Sequence, residues 1–185
     1  NVWYKNMEMN GNWTQAPHLI EEVYNLEDAL VVAQWMSVFL RRSQVLKMAC
    51  LAQLVNVIAP ILTRRDGMVK QTIFYPFQLF RRFAKGAALD VLCQAPTYET
   101  AQFGAAPLLD VSASYDAESG ASALFIVNRS QKESEPVEIE WQNGAPGKSA
   151  HVYQIAGGDP KVANTFEQPN AVVTAAPQSP PCDPK

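Results

Sequence analysis

Histidine occurs twice and cysteine three times in 185 residues. Cys50, Cys93 and Cys182 are odd in number and widely spaced, which argues against a disulfide framework or a zinc site. Cys50 and Cys93 sit in apolar runs and read as small buried hydrophobes. No His, Cys and carboxylate cluster marks a metal site, and no glycine-rich loop marks a phosphate site, so neither metal nor cofactor is expected. Basic stripes are absent too. The doublets Arg41-Arg42, Arg64-Arg65 and Arg81-Arg82 stand apart and read as helix ends and loops, and the net charge is −3 with a pI near 5.4. Nothing there would neutralise phosphates, so no nucleic-acid partner is expected. The longest apolar stretch, Met48 to Leu62, is broken by Gln53, Asn56 and Pro60 and falls short of the roughly twenty residues of a membrane span. It is expected to be a buried segment of a soluble protein. No signal-peptide pattern opens the chain, no internal repeat occurs, and the sequons at Asn12 and Asn128 are no more than chance supplies.

What is present is a globular composition, 48% hydrophobic and 18% charged, that can bury a core. Val2, Trp3 and Tyr4 are strand-type residues, followed by a turn signal at Asn10-Gly11-Asn12. Asn25, with Glu27 and Asp28 behind it, reads as the N-cap of a helix over 26–42. Its polar positions Glu27, Gln34, Ser37 and Arg41 fall near one line, so the rest of its circumference should be buried. Met48 to Gln53 fits a short strand covered on both faces, as in a parallel sheet. After a loop around Arg64–Gly67, Pro76 can open a second helix, buried through Phe77, Phe80 and Phe83/Ala84, with Gly86 as its C′ residue.

From Gly86 the period changes. Leu109, Val111, Ala113 and Tyr115 alternate with Asp110, Ser112 and Ser114, and Val137, Ile139 and Trp141 with Glu138 and Glu140. Ala123 to Val127 is a continuous apolar strand. Turns fall at Asp116–Gly120, Asn143-Gly144 and Gly157-Gly158. This pattern predicts an antiparallel sandwich with a boundary near Gly86. His151 alternates within a sandwich strand and should be exposed. Residues 175–185 hold four prolines and no period, and read as a disordered tail.

Four segments, in order and at the right spacing, resemble glycoside hydrolase family 51, the α-L-arabinofuranosidases. They are Asn1–Tyr4, Ala16–Leu30 (APHLIEEVYNLEDAL), Leu51–Ile61 (LAQLVNVIAPI) and Gln71–Pro76 (QTIFYP). The resemblance is strong to about residue 90 and weaker beyond, where Asn164-Thr165-Phe166-Glu167 is its best piece. It implies an α/β plus all-β chain: residues 1–86 as the last two βα units of a (β/α)8 TIM barrel, 87–174 as a jelly-roll-like β-sandwich, 175–185 as the tail. Two βα units cannot close a barrel by themselves, which takes eight.

The resemblance also implies a retaining, exo-acting hydrolase with two glutamates. Its nucleophile belongs to a Glu-Trp-Asn-Val-Trp-Tyr segment, and Asn1 matches the Asn, so both catalytic glutamates are expected upstream of this chain. Retaining hydrolysis needs two carboxyl groups about 5 to 5.5 Å apart, one to attack the anomeric carbon and one to serve as acid and base. The 185-residue chain should therefore be inactive. Two matched positions should touch sugar. Trp3 would wall the arabinose subsite, and the Gln53 amide would bond sugar hydroxyls and steady the nucleophile. By residue type alone Trp3 reads as a packed core aromatic and Gln53 as a satisfied buried amide, and the resemblance reverses both readings. His18, on the loop after the seventh strand, either lines the site or holds the loop. Glu21 and Glu22 are adjacent, point about 100° apart on a helix, and are no catalytic pair. The implied partner is an arabinose-containing oligo- or polysaccharide, with no membrane, a homo-oligomeric parent and a cytoplasmic location. Two rival readings stand beside this one. One is a non-catalytic carbohydrate-binding module using Tyr98, Tyr115, Trp141 and Tyr153, although Tyr115 and Trp141 fall on the apolar side of their strands. The other is a degenerate remnant.

Overall fold

A computed structural model describes residues 22–142 and 149–179. The expected first strand, Trp3, His18, Cys182 and the turn at Asn143-Gly144 lie outside them.

Helix α1 (Leu26–Arg41) begins where its capping chemistry predicts. Asn25 accepts from the Asp28 N–H and Asp28 reaches back to the Asn25 N–H, a reciprocal capping box. Two more free N–H groups of the first turn find carbonyls in a distant loop, Leu26 to Val162 and Glu27 to Pro160, each at 2.9 Å. A β-hairpin follows, β1 (Ile61–Arg64) against β2 (Gly67–Lys70). The sequence reading had only a loop there, although Asp66-Gly67 between two apolar runs is a hairpin signal. Helix α2 (Phe74–Phe83) starts two residues ahead of Pro76, which sits in its first turn, where a missing N–H costs no bond. Gly86 then takes φ +71°, and a Cβ on it would meet the Tyr115 carbonyl oxygen at 2.1 Å, so only glycine fits.

Five further strands are β3 (Ala87–Leu89), β4 (Thr97–Thr100), β5 (Gly104–Pro107), β6 (Leu109–Asp116) and β7 (Ala121–Asn128). They form a three-stranded antiparallel sheet in the order β3-β6-β7 and a separate β4-β5 hairpin. The architecture is mostly strands with two helices, and the described residues contain no closed barrel.

Several expectations need correcting. Met48–Gln53 is not a strand, and Met48 is 79% exposed. An apolar run becomes a strand only when another strand takes its backbone groups, and no described segment pairs with it. For the same reason Cys50 is exposed rather than buried, as is Cys93. Val137–Trp141 also forms no strand, with Val137 and Ile139 exposed. His151 is exposed as expected, but its neighbour Val152 makes only an isolated bridge to Gln178. That bridge holds the chain at residues 175–179, and residues 180–185 lie outside the described set. α1 is not buried all round: Leu26, Ala29 and Ser37 are buried, whereas Trp35 is 48% exposed.

Most of β6 is covered on both faces: Leu109 and Ala113 on its apolar side are buried as expected, and the polar side is buried too. Ser112 and Ser114, on the polar side of β6, are buried, while Tyr115 on the apolar side is exposed. α1 lies on the serine side, with the Ser112 hydroxyl donating to Ser37 at 3.1 Å. Small side chains let a helix approach the sheet closely, and each hydroxyl supplies the other's partner. On the same side Phe125 of β7 stacks on Phe80 of α2, ring centroids 3.9 Å apart.

Candidate functional site

Of the residues expected at a sugar site, Gln53 alone lies among the described residues. It is exposed, on the irregular segment that leads into β1. Asn56, three positions on, has a left-handed φ of 64°, which asparagine tolerates better than most residues. Its side-chain oxygen accepts from the Thr63 N–H at 2.7 Å and from the Thr63 hydroxyl at 3.1 Å. The segment is thereby folded back on β1.

The far end of the segment is held by Gln71, which is completely buried. Its amide nitrogen donates to the carbonyls of Ala59 at 2.7 Å and Glu22 at 3.0 Å, and its oxygen accepts from the Tyr24 N–H at 2.9 Å. The Gln71 backbone N–H donates to the Pro60 carbonyl at 2.8 Å. Next to it the buried Thr72 hydroxyl donates to the Asn25 carbonyl at 2.5 Å. On the other side of β2, buried Asn164 donates to the carbonyls of Lys70 at 2.9 Å and Val172 at 2.8 Å and accepts from the Val172 N–H at 2.7 Å. Three consecutive positions, Lys70 to Thr72, so gather four stretches of chain that are distant in sequence. Buried amides of this kind are stable only when fully bonded, and these are. The hairpin turn is fastened outside by Arg64, which lies 4.4 Å over the Phe166 ring and pairs with Asp66 and Glu167. The Glu167 carboxyl is held below the ordinary range by a backbone N–H, the Thr165 hydroxyl and Arg64.

A second polar cluster joins α1 to the sheet. Asp110, its side chain 7% exposed, accepts from Arg41 Nη1 at 2.7 Å. Its other oxygen lies 3.2 Å from Arg129 Nη2, near enough for charge but off the line of a hydrogen bond. Arg129 is itself held by Gln34 at 2.5 Å and the Pro107 carbonyl at 3.0 Å. Sequence reasoning found neither this cluster nor Gln71's role. Arg41 read as a helix-end charge and Asp110 as one polar member of an alternating strand, and partners 69 residues apart leave no local signal.

A cleft of about 460 Å³ opens beside the Gln53 segment, lined by Leu51, Leu54, Pro60, Phe74, Phe77, Gln78, Arg81 and Arg82. Gln53 does not line it, and α2 contributes to it the partly exposed face of Phe74, Phe77 and Gln78, opposite the buried Tyr75, Pro76 and Phe80. No group of three or more His, Cys, Asp or Glu side chains among the described residues could hold a metal. Among the aromatics of the rival reading, Tyr98 is exposed on β4, Tyr115 is exposed rather than core, and Tyr153 packs on Phe83 at 4.8 Å with Arg82 beside it.

The order of elements, the Gln53 segment and the Gln71 junction can be set against known proteins. The model of the α-L-arabinofuranosidase C-terminal domain matches residues 1–183. This chain belongs to that family. The intracellular exo-α-(1→5)-L-arabinofuranosidase of Streptomyces lividans is 37% identical over 178 residues, covering 94% of this chain and 27% of that protein. The exo-α-(1→6)-L-arabinofuranosidase of Bifidobacterium longum is 38% identical over 181 residues, covering 94% and 34%. A solved family 51 α-L-arabinofuranosidase from Bifidobacterium longum superposes with a TM-score of 0.75 at 33% identity, over 92% of this chain and 33% of that one. The chain thus spans about a third of the length of the relatives it matches, and the family 51 resemblance read from the sequence holds. No helix among the described residues is long and apolar enough to cross a membrane.

Proposed function

We propose that this chain is the C-terminal part of a retaining, exo-acting α-L-arabinofuranosidase that releases terminal arabinofuranosyl groups from arabinose-containing glycans. The observation that carries the reading is the family match over residues 1–183, with the Leu51–Ile61 run inside it. In this reading residues 1–86 complete a (β/α)8 barrel and residues 87–174 form a jelly-roll-like sandwich beside it. Trp3 walls the arabinose subsite, Gln53 bonds a sugar hydroxyl, and His18, on the loop after the seventh strand, lines the site or holds that loop. The nucleophile and the acid/base glutamate come from the preceding part of the protein. Active sites of such barrels gather at the C-terminal ends of the strands, and the exposure of the Gln53 amide accords with that placement. A cytoplasmic location fits the relatives named as intracellular, and the parent is proposed to be a homo-oligomer.

The test is Gln53→Ala in the full-length protein, assayed with an aryl α-L-arabinofuranoside. Loss of one hydrogen bond to a neutral hydroxyl, worth about 1 kcal/mol, should lower kcat/KM about fivefold or more. Unchanged kinetics would remove Gln53 from the site.

A second reading, a carbohydrate-binding surface on the sheets, draws on the exposure of Tyr98 and Tyr115. Retention on insoluble arabinan that is lost in Tyr98→Ala and Tyr115→Ala would favour it.

A further inference from the structure

Gln71 holds three backbone positions at once, and one of them belongs to the stretch that carries Gln53. Ala59 ends the segment that begins with Gln53, and Glu22 and Tyr24 end the segment that leads into α1. We propose that Gln71 is a positioning residue for the sugar site, a buried amide that sets the distance between these two segments without touching substrate. The inference rests on the placement of Gln53 given above.

The chemistry is specific to an amide. The two carbonyls of Ala59 and Glu22 require two donors, and the Tyr24 N–H requires an acceptor at the same side chain. Glutamine meets all three needs. Glutamate would present oxygen to two carbonyls, and methionine, of similar length, would supply none of the three bonds. The Gln71 backbone repeats the tie through Pro60, so the side chain need not maintain the fold alone. Midway between Ala59 and Gln53 the segment is tied again, by Asn56 to Thr63 of β1. The stretch from Gln53 to Ala59 is thus a short run held at Ala59 and at Asn56, so its conformation depends on both ties, and displacement of a contact by about 1 Å is enough to cost a large factor in rate.

Asn164 is the matched control. It is an equally buried amide with three bonds, but it joins Lys70 to Val172 and contacts neither segment. In the full-length protein, with an aryl α-L-arabinofuranoside, Gln71→Met should raise KM and lower kcat/KM at least tenfold. Asn164→Leu, at a comparable loss of Tm, should leave KM within twofold of wild type. Equal kinetic losses in the two variants, or wild-type kinetics in Gln71→Met, would overturn the proposal. If Gln71→Met is not soluble, Gln71→Glu supplies the same decision through its pH profile. Burial favours the protonated carboxyl, which can donate to one carbonyl, so the activity of this variant relative to wild type should rise as pH falls. Parallel profiles would overturn the proposal. Gln53→Ala, run alongside, separates the two possible failures. Unchanged kinetics in Gln53→Ala sinks the site assignment, whereas a weakened Gln53→Ala beside a wild-type Gln71→Met sinks only the positioning role.

Discussion

Two stretches of similar apolar character end up in opposite surroundings. Residues 45–55 contain Val45, Leu46, Met48, Leu54 and Val55, all exposed. Residues 69–76 contain Val69, Gln71, Thr72, Ile73, Tyr75 and Pro76, all buried. What separates them is the accounting of polar groups. The Gln71 amide and the Thr72 hydroxyl find partners outside the stretch, and the apolar side chains are buried along with them. Residues 45–54 pair with no strand among the described residues, and a single bridge from Val55 to Ile61 is the tie to β1, so most of the apolar side chains are left uncovered. An uncovered apolar stretch of that kind is what a contact surface looks like, and Trp35 and Val38 of α1 are exposed as well. In the proposed full-length enzyme the rest of the barrel would cover it.

Mutations can break that comparison, and the largest effect should come from Gly86, where the knit region turns into β3. A Cβ there would collide with the Tyr115 carbonyl and must also take a left-handed φ. Gly86→Ala should cost about 3 kcal/mol, combining the left-handed strain with overpacking, measured by chemical denaturation. Asp110→Ala comes next. It leaves Arg41 and Arg129 facing a site where their charge is no longer answered. Because Arg41 is 38% exposed, the cost should be about 2 kcal/mol, below that of a wholly buried pair. Asn25→Ala removes the α1 cap and should cost about 1 kcal/mol. Trp35→Ser sharpens the contrast most. In the 185-residue chain it should change stability by less than about 0.5 kcal/mol, whereas in the full-length protein it should cost about 3 kcal/mol.

The smallest effect is a pH dependence. The Ser119 hydroxyl and the Glu118 N–H hold the Asp116 carboxyl below its ordinary 3.8. A depressed folded value means its contribution is fully present above that ordinary value and fades as pH falls through the folded one. Asp116→Asn should therefore lower Tm slightly at neutral pH, and the difference from wild type should shrink in acid below the ordinary value. A difference that grows in acid would reverse the sign.

Local chemistry was legible in the sequence. The cap at Asn25, the three arginine doublets at helix ends and a turn, the glycine at residue 86 and the strands around Val111 and Phe125 all follow from nearest-neighbour rules. The Asp66-Gly67 hairpin was legible too but was read as a loop. What could not be read was whatever depends on a distant partner. Alternation along β6 marks two faces but cannot say that both will be covered, as they are at Leu109 and Ala113 on one side and at Ser112 and Ser114 under α1 on the other. Met48–Gln53 looks like a buried strand because burial is written in its composition, but the neighbours that would bury it are not among the described residues. At the candidate site the family resemblance pointed to Gln53, while the amide that braces its segment stood in plain view as an unremarked part of Gln71–Pro76.

The most direct measurement is hydrolysis of an aryl α-L-arabinofuranoside by the full-length protein and by the 185-residue chain, side by side at equal concentration. Turnover by the longer protein and none above the no-enzyme rate by the shorter is the predicted result. Turnover by the 185-residue chain itself would contradict it, since the two carboxylates assigned to the preceding part of the protein would then be unnecessary.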